Sequence, residues 1–97
     1  MHRFLFMLIL ASVEGWQVEW TAHPDNIAVV LVTTCYGKQP FFAYNHQDVN
    51  ATQTQATFRR MDIPKGERCY VSAQLMRFSE EYPHGVVADA TSTIQEE

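Results

Sequence analysis

From Trp16 onward the chain is patterned with a period of two, in short runs separated by turn-forming residues. Trp16-Gln-Val-Glu-Trp20 alternates apolar and polar, which predicts a strand with Trp16, Val18 and Trp20 on one face and Gln17 and Glu19 in water. His23-Pro-Asp-Asn26 reads as a turn, because proline presets φ and Asp or Asn bonds to its own backbone. Ile27–Cys35 is almost continuously apolar, the mark of a central strand, and stops at the turn Tyr36-Gly-Lys38. Gln39–Tyr44 predicts a short aromatic strand that Pro40 confines to a sheet edge, since proline donates nothing to a ladder. Asn45–Gln53 is polar and predicts a loop. Thr54–Met61 alternates again with Ala56 and Phe58 inward, and Asp62–Gly66 is a turn. Arg68–Met76 is a strand, Arg77–His84 a loop, Gly85–Ile94 the last strand, and Gln95–Glu97 a frayed acidic end. No stretch of 10 to 12 residues in this part carries apolar positions at helical spacing. The expected class is all-β, an antiparallel β-sandwich.

The two cysteines fall at opposite ends of two such runs, Cys35 closing one and Cys69 opening another. If those runs are neighbouring antiparallel strands, one bridge clamps them together. Neither cysteine lies in a Cys-x-x-Cys and no matching histidine spacing is present, so a structural disulfide outweighs a metal or redox pair.

The amino terminus has its own pattern. Met1-His-Arg3 is a short basic start, Phe4–Ala11 an uninterrupted apolar octet, and Val13-Glu-Gly15 places a small residue before a cut, the layout of a secretory signal peptide over residues 1–15. Eight apolar residues are too few to span a bilayer, which takes about 20, so no membrane span is expected. The other reading of residues 3–11 is a first β-strand of a domain whose upstream part lies outside this sequence. On the first reading a domain of residues 16–94 follows, with residues 95–97 as an acidic tail, and the product is secreted.

The 97 residues allow one domain, which buries only about 60 to 65% of the surface its unfolded chain exposes. Six Phe, four Tyr and two Trp fill one core and not two. With 11 acidic against 7 basic residues the net charge is −4, which argues against a nucleic-acid surface. Arg59, Arg60, Lys65 and Arg68 form the one basic neighbourhood in the sequence, a solvated face before it is a polyanion contact.

Val18-Glu-Trp20-Thr and Ile63-Pro-Lys-Gly66-Glu-Arg-Cys69-Tyr70-Val-Ser-Ala are similar to two parts of the fibronectin type III domain, an immunoglobulin-like sandwich: its second strand with a buried Trp, and its turn of Leu, Pro, Gly and Tyr opening the sixth strand. The resemblance spans roughly residues 16 to 94. It implies a non-catalytic module that binds an extracellular protein or receptor, with no cofactor. Three departures stand out. The family's first strand is missing or replaced if residues 1–15 are removed. The tyrosine slot falls on Cys69, with Tyr70 one place on, so either that tyrosine is replaced or a bulge shifts the register. A bridge between the third and sixth strands is not general in the family, but those strands are antiparallel neighbours in it, so Cys35 and Cys69 would meet.

Reactive chemistry has no foothold in this sequence. His2, His23, His46 and His84 are scattered, no serine sits in a Gly-x-Ser-x-Gly elbow, and no metal site or enzyme is expected. Binding has two candidates. Phe41, Phe42 and Tyr44 on the edge strand, with Phe78 and Tyr82 on the loop before the last strand, suggest one contact surface, although such strand aromatics are more often core. The loop Arg77–His84, with Phe78, Glu80, Glu81, Tyr82 and His84, is the better of the two because sandwiches present such loops to partners. Asn50-Ala-Thr52 fits the N-glycosylation sequon and points to an exposed loop.

Overall fold

A computed structural model of the protein describes residues 6–38 and 40–96. The start of the signal-peptide reading (residues 1–5, His2 among them), Gln39 and Glu97 lie outside the described residues. Seven strands follow in chain order: β1 Met7–Ala11, β2 Gly15–Trp20, β3 Asn26–Tyr36, β4 Phe41–Asp48, β5 Gln55–Arg59, β6 Arg68–Arg77 and β7 Val86–Glu96. They form two antiparallel sheets, β1-β2-β5 and β4-β3-β6-β7. The described residues contain no helix. This is the all-β antiparallel sandwich that the alternation predicts, with the arrangement of the immunoglobulin-like class.

The core lies between the sheets and is built from the odd and even positions the pattern assigned. Trp16, Val18 and Trp20 of β2 meet Val29 and Leu31 of β3 and Val71 and Leu75 of β6, with Ala56 and Phe58 of β5 beside them. The near-continuous apolarity of β3 reflects its place between β4 and β6. Cys35 and Cys69, directly opposite in the β3–β6 register with Cα atoms 4.1 Å apart, form the disulfide. The bridge packs with Ile63 and Phe41 as a second small cluster at one end of the sandwich. Cys69 and Val71 face inward, and the β6 register runs unbroken from Arg68 to Leu75. Tyr70 therefore points out of the sheet, and no bulge shifts the register at Cys69.

At the amino end a first strand is present, as the second reading of residues 3–11 has it: Met7–Ala11 pairs with β2 from Met7↔Trp20 to Ala11↔Trp16, and Met7 is buried in the main core. Two boundaries differ from the sequence reading. Asn45–Asp48 belongs to β4 rather than to a loop, because its backbone pairs with Ala28–Leu31 and Gln47 Nε2 donates to the Thr57 carbonyl at 2.7 Å, tying the two sheets along that margin. Gln95 is no frayed end. It is buried in β7 and its Nε2 donates to the Met61 carbonyl at 3.2 Å.

Candidate binding surface

The two ends of the four-stranded sheet are chemically different. At one end lie the C-terminus of β3, the start of β4, the start of β6 and the end of β7; at the other lie Asn26, Asp48, Arg77 and Val86. On the outer face at the first end, the register lines up Phe42, Thr34, Tyr70 and Ile94 in one cross-strand row, with Tyr44 in the next row and Tyr36 beyond. Phe42, Tyr44, Tyr36, Tyr70 and Ile94 are between 46% and 67% exposed. The rings of Tyr36 and Tyr70 meet edge to face, with centroids 6.0 Å apart and planes at 63°. That arrangement suits the ring quadrupoles and holds both rings upright on the sheet. Farther along, the same face turns polar through His46, Gln74, Ser72 and Ser92.

Tyrosine and phenylalanine fit a pleated half-buried surface, which explains why these strands form. It does not explain why the rings stand in water. Aromatic side chains grouped on rigid strands are the residue types enriched at the centres of protein interfaces. The sequence reading places Tyr36 in a turn and Tyr70 beside the tyrosine slot, and names neither as a contact residue. Their signal was parity: with Cys69 inward, its neighbour must face out.

Phe41 does not join this surface. It points inward, half-buried, onto the Cys35–Ile63–Cys69 cluster. Nor do Phe78 and Tyr82 extend it: their loop follows Arg77 at the opposite end of the sheet, so the single surface of Phe41, Phe42, Tyr44, Phe78 and Tyr82 divides in two.

The loop itself is well tied. Phe78 N–H donates to the Asp25 carbonyl at 3.0 Å, Tyr82 N–H to Ser79 Oγ at 3.1 Å, and Gly85 N–H to the Tyr82 carbonyl at 3.0 Å. Arg77 Nε donates to Asn26 Oδ1 at 2.9 Å, closing the base of the loop against the turn at residues 23–25. Phe78, Glu80, Glu81, Tyr82 and His84 are all exposed there.

Both ends carry charge of both signs: Asp25, Asp48, Glu80 and Glu81 stand with Arg77 toward the loop end, and Lys38, Arg59, Arg60, Lys65 and Arg68 with Asp62 and Glu67 toward the aromatic end. The basic neighbourhood is partly engaged. The Arg60 guanidinium lies over the Trp16 ring, 4.7 Å from its centroid, covering an indole whose buried Nε1 has no hydrogen-bond partner. Glu67 Oε1 accepts from Lys38 N–H at 3.2 Å, joining the turns before and after the bridged cysteines. His23 Nδ1 is 3.8 Å from Asp25, and His46 Nε2 is 3.5 Å from Asp48. Among the described residues no three His, Cys, Asp or Glu side chains are grouped to hold a metal ion. No helix there is long and apolar enough to cross a membrane.

The geometry thus defines an all-β antiparallel sandwich, consistent with the immunoglobulin-like class, with an aromatic sheet face at one end and a tied loop at the other. Compared with protein-family models, with curated proteins and with solved structures, the chain matches none.

Proposed function

We propose that this chain is a non-catalytic, extracellular protein-binding module, built on a fibronectin type III-like sandwich, that holds its partner on the outer face of the four-stranded sheet. The observation that carries this reading is the row of Phe42, Tyr70 and Ile94 with Tyr36 and Tyr44 beside it, all large, apolar and open to water on rigid paired strands. Strand propensity and the Tyr36–Tyr70 contact serve the monomer, but only a partner that covers the group removes the whole row from water at once. The buried disulfide supports an oxidising compartment.

The test compares three baits on identical supports: the native chain, a face variant (Phe42→Ser, Tyr44→Ser, Tyr70→Ser) and a loop variant (Phe78→Ser, Tyr82→Ser). Extracellular protein captured by the native chain and the loop variant, and at least tenfold less by the face variant, is the expected result. Capture lost only with the loop variant would overturn it in favour of the second reading. That reading is a small inhibitor acting through residues 77–84, and it is favoured by the hydrogen bonds that fix the loop's shape before any encounter. At about 0.5 kcal/mol for each exposed substitution, the loop variant should lose about 1 kcal/mol and the face variant, which also loses the Tyr36–Tyr70 ring pair, about 2 to 3 kcal/mol, and both should remain folded.

Strand β1 separates a free module from a domain of a larger receptor or adhesion ectodomain. Cleavage after Gly15 would strip β1, open the edge of β2 and uncover the core at Met7. The mass of the exported product reads this directly. A start at Trp16 supports the free module, and a product still carrying Met7–Ala11 supports the ectodomain.

A further inference from the structure

The structure points to Asn50 as a built acceptor for an N-linked oligosaccharide, and we propose that the exported protein carries one there; this rests on the extracellular reading above. The triplet Asn50-Ala51-Thr52 lies in the connection between β4 and β5, with all three residues exposed. The apex is held firmly from beneath. Val49, partly buried against the main core, donates its N–H to the Ile27 carbonyl at 3.0 Å, and Gln53 N–H returns to the Asn50 carbonyl at 3.2 Å.

The side chain is arranged asymmetrically. Asn50 Oδ1 accepts from Thr52 N–H at 3.1 Å, from Thr52 Oγ at 3.0 Å and from Gln53 N–H at 3.0 Å. The Nδ2 amine makes no hydrogen bond among the described residues and faces solvent. Three donors on the oxygen stabilise the form in which charge gathers there and Nδ2 gives up a proton, which is what an amide nitrogen needs in order to act as a nucleophile. The threonine hydroxyl, the residue that makes the triplet a sequon, is already at the carboxamide.

The co-reactant is an oligosaccharide carried on a polyprenyl pyrophosphate and presented by a membrane-bound transferase. Nδ2 attacks the anomeric carbon, a C–N bond forms, the C–O bond to the pyrophosphate breaks, and one Nδ2 proton leaves to a base on the transferase. Nothing is oxidised or reduced. The sugar would stand beyond Asp48, at the end of the sheet shared with the turn at 23–25 and the loop at 78–85. It would leave the aromatic face, at the other end, open to a partner.

The experiment expresses the full chain in secretory eukaryotic cells in two arms, alone and behind an independent leader of proven export. A reference acceptor site appended at the carboxyl end reports entry into the lumen. The expected result is a chain modified at both sites, with the Asn50 sugar released by a peptide-N-glycanase that leaves a carboxylate at position 50. That sugar is lost in Asn50→Gln, Thr52→Ala and Ala51→Pro and kept in Thr52→Ser. A reference site modified while Asn50 stays bare overturns the proposal. Modification at Asn50 only in the arm with the added leader supports the acceptor site and overturns export by the chain's own amino terminus. Peptide mapping of the Cys35–Cys69 bridge in each variant confirms that the fold is intact.

Discussion

Replacing both bridged cysteines, Cys35→Ala with Cys69→Ala, is expected to lower the unfolding free energy by about 4 kcal/mol. The bridge joins residues 34 positions apart, and closing a loop of that size in the unfolded chain removes about 12 to 13 cal/mol/K of conformational entropy on the chain-entropy model, which gives this figure at 25 °C. A domain of this size has about 5 to 15 kcal/mol in total, so the loss is a large share. The folded state offers little compensation. Both side chains are fully buried and pack with Ile63 and Phe41, so the double variant also leaves a small void at that end of the core. Denaturant titration checks this in two ways: the midpoint falls, and the slope with denaturant rises because the unbridged chain exposes more surface on unfolding. A loss under about 1 kcal/mol would mean that the unfolded chain is already confined without the bridge. Using the double variant keeps one free buried thiol from clouding the comparison.

The same pair of cysteines shows how far the sequence could be read. Each lies on an alternating run, so pairing them sets which positions face in, and through them the whole inner face of β3 and β6. Parity then places Thr34 and Tyr70 outside, so the outward positions of β3 and β6 are legible from two sulfur atoms. The row itself is assembled across four strands far apart in sequence, Phe42, Thr34, Tyr70 and Ile94, and no local pattern states which residue stands opposite which. Asn45–Asp48 escaped notice for a different reason. Its composition is that of a loop, and only the backbone of β3 beside it makes it a strand. In Met7–Ala11 the difficulty is that Leu8 and Leu10 on the outer face are as apolar as Met7 and Ile9 on the inner. A strand apolar on both faces has no period two to find, and the same run of side chains suits the apolar centre of an export signal. One stretch of sequence satisfies two physical demands, and composition alone cannot rank them.

That hairpin hinges on a glycine, and Gly15→Ala is expected to cost about 2 to 3 kcal/mol, the upper part of the range for forcing extra atoms into a packed site. Gly15 opens β2, pairs with Arg59 of β5, and closes the turn after β1 by exchanging backbone hydrogen bonds with Ser12 at 2.8 and 3.3 Å. A Cβ on it would fall 2.0 Å from the Phe58 carbonyl oxygen and 2.7 Å from the Arg60 nitrogen. Both obstacles are backbone atoms of the neighbouring strand, so no side-chain rotation relieves the clash, and β2 must draw away from β5 at this end. Gly66→Ala supplies the contrast. A Cβ there meets nothing, but φ is +83° in the turn closed by the Glu67 N–H to Pro64 carbonyl bond at 3.2 Å, a backbone conformation that disfavours any side chain by roughly 1 to 2 kcal/mol. Gly66→Ala thus carries the conformational cost alone, whereas Gly15→Ala, at φ +156°, adds the backbone clash to it. Native-state hydrogen exchange locates the first of them: amides of β2 and β5 should lose protection in Gly15→Ala, while those of β3 and β6 fall only as far as global stability does. Equal losses at positions 15 and 66, with no local change along β5, would show that β2 and β5 meet at this corner more loosely than the 2.0 Å approach requires.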